Sequence, residues 1–180
     1  MKQARVIRPR SKKHYVNNKT LYEEMIKYRE SYLLAESEGR QLPRIPNYIG
    51  ECMMMICKKL STKPNFMNYS YREDMISDGI ENCIASVNNF DPSKSTNPFA
   101  YFTQIAWNAF IRRIQFEKKQ TYIKHKNYQN SFLMHAYDEG VSMNTNEHSD
   151  EVIKSFETKL QVSKEEKKNK MEAKKLEIEA

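Results

Sequence analysis

Residues 74–113 read DMISDGIENCIASVNNFDPSKSTNPFAYFTQIAWNAFIRR, and the fold turns on how this stretch is read. Met75, Ile76, Gly79, Ile80, Cys83, Ile84 and Val87 recur at helical spacing, which predicts an amphipathic helix with one apolar stripe. Ser70 with Glu73 supplies a capping box ahead of it. A glycine inside a helix costs about 1 kcal/mol against alanine, so Gly79 implies close approach of a neighbouring helix. The run Asn88-Asn89-Phe90-Asp91-Pro92 stops this helix. Asn97 as N-cap and Pro98 at the first position then open another, expected to reach at least Lys119. Phe99, Tyr101, Phe102, Trp107, Phe110 and Phe116 crowd into about 26 Å of it, at roughly 1.5 Å per residue. A helix buries one stripe. Phe99, Phe102, Ala106, Ala109 and Arg113 lie along one face, and Tyr101, Ile105, Asn108 and Arg112 along another. Most rings are therefore core, with some expected at the surface beside Arg112 and Arg113.

Working outward, two further helices precede this pair. Thr20 with Glu23 forms a capping box, and Tyr22, Met25, Ile26, Arg29 and Leu33 follow as an inward stripe. Pro43 and Pro46 end that helix, because proline removes a donor and clashes with the preceding turn. The next runs from about Asn47 to Leu60, with Tyr48, Ile49, Cys52, Met53, Ile56, Cys57 and Leu60 on a wide apolar face. The triple Met53-Met54-Met55 reads as core filling rather than as a pliable partner surface, the alternative that the same residues allow. Residues 61–65 form a turn. Beyond Tyr128 the pattern fades into a polar linker, followed by a short amphipathic piece at Val152, Ile153, Phe156 and Leu160. The end, from Lys164, is mixed-charge and helix-prone without an apolar face, expected to be solvent-exposed or disordered until bound. The expectation is an all-α protein: a flexible basic arm over 1–17, a helical domain over 18–128, and a linker, short helix and charged tail over 129–180.

Composition agrees with this class. The chain has 180 residues, enough for one domain with a core plus tails, and its four glycines and few β-branched runs favour helix over sheet. The net charge of +7 is unevenly placed. Lys2, Arg5, Arg8, Arg10, Lys12, Lys13 and Lys19 face no acid in the first twenty residues. Arg112, Arg113, Lys118, Lys119, Lys124 and Lys126 face only Glu117 in residues 110–130. These are two basic footprints suited to a polyanion, although a merely solvated basic face has the same composition.

Catalysis and metal binding find little support. Cys52, Cys57 and Cys83 contain no CxxC pair and fall on apolar helix faces, where they read as small buried hydrophobes. No histidine stands at zinc-ligand spacing, and His14, His125, His135 and His148 are too dispersed for a metal-dependent nuclease. No cofactor is expected. There is no signal peptide and no apolar run of transmembrane length, so no membrane partner and a cytosolic location are expected. Exposed rings receive unstacked bases, worth about 1–3 kcal/mol each, and neighbouring Arg and Lys hold phosphates.

The motifs resemble region 2 of bacterial sigma factors. They are D-x-I-x-x-G-I at 74–80, V-x-x-F-D at 87–91 and F-x-x-F-x-x-I-A-x-N-x-x-I-R-R at 99–113. Tyr15-Val-Asn-Asn18, Met75-Ile-x-Asp-Gly-Ile80, Asn89-Phe-Asp91, Asn97-Pro-x-Ala-Tyr101 and Asn108-Ala-Phe110 are similar to the late-promoter sigma factors of T-even-type bacteriophages. The resemblance covers roughly residues 14–125. It implies a non-enzymatic initiation factor in the host bacterial cytoplasm that binds RNA polymerase core and directs recognition and melting of a TATA-like −10 element.

The resemblance also implies roles for particular residues. Asp74, Ser77, Asp78 and Glu81, with Ile80 and Ile84 beside them, would dock on the clamp helices of the largest polymerase subunit. Phe102 would stack on the flipped adenine, with Tyr101 and Trp107 as neighbours. Asn108, Arg112 and Arg113 would contact promoter DNA, and the basic Lys118 and Lys119 extend that set. Phe102 replaces the usual tyrosine, and the paired tryptophans of housekeeping factors become Ile105 and Ala106. Residues after His125 are too few and too polar for a −35-binding helix-turn-helix domain. Leu176-Glu-Ile178-Glu-Ala180 is a weak echo of a tail that binds the replication sliding clamp, and a late co-activator belongs to the same picture. The 152–160 piece is a candidate contact for the polymerase flap, with a loosely packed surface helix as the equal alternative. A small helical DNA- or RNA-binding protein that never touches polymerase is the competing reading; it accounts for the basic arm and the Arg-rich helix but not for the acids at 74, 78 and 81.

Overall fold

Hydrophobic spacing becomes five α-helices in the computed structural model, which describes residues 14–139 and 147–179, with side chains as far as 132 and from 147 to 173. They are α1 (Asn18–Ser37), α2 (Asn47–Leu60), α3 (Arg72–Ala85), α4 (Pro98–Glu139) and α5 (Glu147–Glu179), with a 3-10 turn at Val87–Asn89 after α3. Among the described residues there is no strand, and the class is all-α as expected. No helix of the described residues is long and apolar enough to cross a membrane. The basic arm expected over 1–17 lies outside the described residues apart from its last four positions.

The described chain divides into two compact units that meet in sequence at Arg113 and Ile114, within α4. In the first, α2 packs against both α1 and α3. Ile49, Cys52, Met53, Ile56 and Cys57 of α2, Met75 and Cys83 of α3, and Phe102, Ala106 and Phe110 of α4 are fully buried together with Phe66 and Phe90. Tyr48, on the rim of the α2 face, is half-buried. The cysteines are free thiols inside this core. Hydrogen bonding with Cys57 and burial both push the Cys83 thiol up, so it behaves as a neutral small hydrophobe.

Capping departs from expectation at two starts. Helix α1 begins at Asn18, and its cap is Asn17, whose Oδ1 accepts from Lys19 N at 3.1 Å and Thr20 N at 3.4 Å. The capping box expected at Thr20 is thus displaced by an earlier, equally good cap. Helix α3 begins at Arg72 with no side-chain cap, so the Ser70–Glu73 box does not form. The buried stripe of α1 is Leu21, Met25, Tyr28 and Ala35, and the expected inward Leu33 is exposed. Helix α4 starts as expected: Asn97 Oδ1 accepts from Ala100 N at 3.0 Å.

Helix α1 also secures the approach to α4. Tyr22 and Arg29 donate to the carbonyls of Pro92 (3.2 Å), Asn88 (2.9 Å) and Phe90 (2.8 Å), while Tyr28 donates to Asn88 Oδ1 at 3.0 Å. Phe99 N donates to Asn18 Oδ1 at 3.1 Å. The start of the aromatic helix is therefore held by two asparagines of different elements.

In the second unit, Tyr122 stacks on Phe156 with ring centroids 4.6 Å apart and donates to Glu157 Oε1 at 3.0 Å. Gln129 donates to Asp150 Oδ1 at 2.9 Å, and Ile153 is buried. The polar linker expected after Tyr128 is instead helical as far as Glu139, because good helix formers such as Gln129, Leu133, Met134 and Ala136 carry the helix where the apolar stripe fades. The amphipathic piece at 152–160 is the first part of the longer α5, whose side chains from 157 to 173 are all exposed. The side chains of the clamp-like 176–180 end lie outside the described residues.

Candidate nucleic-acid and protein interface

Helix α3 presents two opposite faces. Met75, Ile76, Gly79 and Cys83 turn inward. Asp74, Ser77 and Glu81 are exposed at helical spacing and Asp78 is half-exposed beside them, with the Ile84 side chain 47% exposed on the same element. Ile80 is half-buried at the edge. The six residues expected to meet a protein partner are thus on one helix, and five of them reach solvent substantially.

The arginines of α4 reach back to this helix. Arg113 Nη2 lies 3.3 Å from Asp74 Oδ2, and its Nε lies 3.6 Å from Asp78 Oδ2. Arg112 Nη2 donates to Asn82 Oδ1. Both arginines were expected on the DNA side. In this conformation their guanidiniums tie α4 to α3, with Arg112 still exposed.

The rings divide by burial. Phe102 and Phe110 are fully buried, so Phe102 has no face open to a base in this conformation. The helical spacing that aligns Phe102 with Ala106 and Ala109 places it in the core stripe. Its neighbour Tyr101 is half-buried and sits edge-on to Phe90 and to Phe102, each at 5.2 Å between centroids. Tyr101 donates its hydroxyl to Ser86 O at 3.0 Å. Burial, with a smaller contribution from Cys83, pushes that hydroxyl above its ordinary pKa, which keeps it a donor. Trp107 is half-buried, edge-on to Phe66 at 4.8 Å, with Lys63 Nζ 5.6 Å from its ring. Asn108 is exposed and accepts from Gln104 at 3.0 Å. Lys118 and Lys119 are exposed on the part of α4 that belongs to the second unit.

Four contributors escape sequence reasoning: Asn82 and Ser86 as partners of Arg112 and Tyr101, and Lys63 and Phe66 against Trp107. The last two lie in the 61–71 segment between helices, where no periodicity marks an inward position.

This arrangement has a match among known families. Residues 56–120 match the model of Sigma-70 region 2. The match begins near the end of α2, takes in all of α3 and extends along α4, about a third of the chain. A comparison with curated proteins returned no match. The acidic face of α3 and the ring-bearing first part of α4 both fall inside the matched residues; α1 and the residues ahead of it fall outside.

Proposed function

We propose that this chain is a sigma-type initiation factor that binds RNA polymerase core and recognises promoter DNA. The observation that carries the reading is that the Sigma-70 region 2 match, over residues 56–120, takes in both surfaces of the helical unit, the acids on α3 and the half-exposed rings on α4. Acids opposite a basic partner raise on-rate and specificity, which suits docking on polymerase. Half-exposed rings, one of them with Lys63 against it, suit an unpaired strand. Nothing in this role asks the chain for catalysis; the polymerase supplies it.

The finer reading is that the chain serves late promoters of a T-even-type bacteriophage, with a TATA-like −10 element and docking on the clamp helices. The motifs at 15–18, 75–80, 89–91 and 97–110 support it. Burial of Phe102 moves the base-stacking role in this reading to Tyr101, the adjacent ring that reaches the surface. The sliding clamp and a co-activator are further partners of the same reading.

The test is run-off transcription with purified polymerase core on a template bearing a TATA-like −10 element. Specific initiation that depends on the chain, and that is lost with Asp74→Lys/Asp78→Lys, is the expected result. Failure to co-elute with core and to confer promoter specificity would overturn the reading in favour of a helical nucleic-acid-binding protein without polymerase.

A further inference from the structure

Helix α5 lies wholly beyond the residues that match Sigma-70 region 2, and it changes character part-way along one face. Its first turns meet α4: Tyr122 stacks on Phe156 and donates to Glu157, and Gln129 donates to Asp150. These contacts set the roll of α5, so the direction of its later side chains follows from helical spacing. At about 100° per residue, Ile153, Phe156 and Leu160 share the side turned to α4. The same side continues as Lys164, Lys167, Lys168 and Met171, where every side chain is exposed. An apolar stripe thus gives way to a cationic one at the point where α5 stops being covered.

The acids keep off this side. Glu165 and Glu166 lie about 100° or more round the helix from Lys164, and Glu172 borders the stripe. A groove of about 360 Å³ runs along Lys164, Lys167, Lys168, Met171 and Glu172. Among the described residues, Lys164 and Lys167 form no ion pair, and Lys168 Nζ lies 3.9 Å from Glu172 Oε1 with both side chains well exposed. On α4, Lys118 lies one turn before Tyr122 and is also exposed, so both helices turn cationic at the same end of their antiparallel pairing.

A face kept only for solubility carries both signs interspersed. Here Lys164 repels Lys167 and Lys168 at i,i+3 and i,i+4 spacing, a cost to the helix that a seated anion removes. Lysine is a flexible point charge that follows phosphates without the planar fork that arginine brings to one group. The stripe holds no aromatic ring to receive an unstacked base, which separates it from a single-strand platform. Met171 is its one exposed apolar side chain, too little for the apolar centre of a protein interface. The closely repeated charge of a duplex backbone is what such a stripe matches.

We infer that α5 lays this lysine stripe against the phosphates of duplex DNA, without reading its sequence. The stripe itself stands apart from the matched residues; only the choice of DNA over RNA rests on the promoter reading above.

The test is equilibrium binding of the full chain to a DNA duplex of scrambled sequence, read by fluorescence anisotropy over a salt series. Each phosphate contact contributes about 0.9 to the slope of log affinity against log salt. Lys164→Gln/Lys167→Gln should therefore reduce the slope by about 1.8. Lys159→Gln/Lys170→Gln removes the same charge from other sides of α5 and should leave the slope within about 0.5 of wild type. Glutamine and lysine have nearly equal helix propensity, so circular dichroism should match across the three proteins. The cations of the first twenty residues contribute to all three alike and cancel in the comparison. Equal slope changes in the two variants, or none in either, overturn the inference, because charge alone or no contact at all would then account for binding. Tighter binding of an RNA duplex of equal length, with the same loss in Lys164→Gln/Lys167→Gln, overturns DNA as the occupant. Run-off transcription with wild type reports separately on the promoter reading. Promoter-specific initiation beside an unchanged slope sinks the lysine stripe alone. A slope that falls only in Lys164→Gln/Lys167→Gln, with no initiation by wild type, sinks the sigma-type reading and leaves the stripe standing.

Discussion

Gly79 on α3 faces Phe110 on α4 so closely that a Cβ placed on the glycine would lie 2.8 Å from Phe110 Cε1, and 3.1 Å from Cys57 Sγ of α2. Three helices therefore converge on the one position in α3 that has no side chain. Gly79→Ala gains about 1 kcal/mol of helix propensity but overpacks a site with no room, at about 1–3 kcal/mol. The net expectation is destabilisation by about 1 kcal/mol in denaturant melts. Adding Phe110→Leu should make the alanine less costly than it is in the wild-type background. Strict additivity of the two changes would show that the ring does not set the limit.

That glycine is also the clearest case of tertiary structure legible in sequence. A helix breaker inside a periodic apolar stripe has few explanations, and close approach is the commonest. Helix α2 and the Asn97-Pro98 start of α4 are legible for similar local reasons: continuous periodicity, and a cap chemistry with one good solution. Helix α1 is less so, because Asn17 and Thr20 are both competent caps and only packing chooses between them. Phe102 is the instructive departure. A family resemblance marks a ring for base stacking there, yet its place in the stripe with Ala106 and Ala109 puts it in the core. Partners such as Asn82 and Lys63 depend on which helix faces meet, which no spacing within one helix can specify.

The turn before α4 carries a titrating device. Asp91 Oδ1 accepts from Ser93 Oγ at 2.7 Å and from Ser93 N at 3.0 Å, with Lys94 Nζ 3.5 Å from the other oxygen. The Ser93 hydroxyl first, then its backbone N–H and Lys94, hold the Asp91 carboxyl below its ordinary pKa. A depressed folded-state value means that the stabilisation is present above the unfolded-state pKa and is lost as pH falls through the folded one. Ser93→Ala should raise the Asp91 pKa, read from the carboxyl carbon shift by NMR. The stability gap between wild type and variant should be widest near neutral pH and close in acid. A gap that does not depend on pH would mean that Ser93 acts other than through Asp91.

Arg113 stands between two proposed roles, since its guanidinium meets Asp74 and Asp78 on the face assigned to polymerase. Asp74 is exposed and Asp78 half-exposed, so each pair is worth about 0.2–1 kcal/mol to stability. A double-mutant cycle of Arg113→Ala with Asp78→Ala should return a coupling of that size. The larger consequence is for docking. If the arginine masks charge that a basic partner needs, Arg113→Ala should tighten binding to polymerase core about twofold and steepen its salt dependence. Unchanged polymerase affinity together with poorer promoter opening would instead assign Arg113 to the DNA.

The adjacent rings Tyr101 and Phe102 should fail in different ways. Phe102 is fully buried, so Phe102→Ala leaves a cavity and should cost about 3–5 kcal/mol of stability. Its transcription should fall on duplex and pre-melted templates alike, in step with the fraction unfolded. Tyr101 is half-buried, and Tyr101→Ala removes a stacking face worth about 1–3 kcal/mol. Its loss should therefore appear mainly on duplex templates, where base capture drives opening, and be relieved by a pre-melted bubble. Tyr101→Phe keeps the ring while removing the hydroxyl that Tyr101 donates to Ser86 O, and should keep most of the opening activity at a small cost in stability. Run-off transcription on both templates, set beside thermal melts, separates these outcomes. A template-specific defect in Phe102→Ala at a temperature where that variant is folded would show that Phe102 leaves the core to meet the base, and would return the stacking role to it.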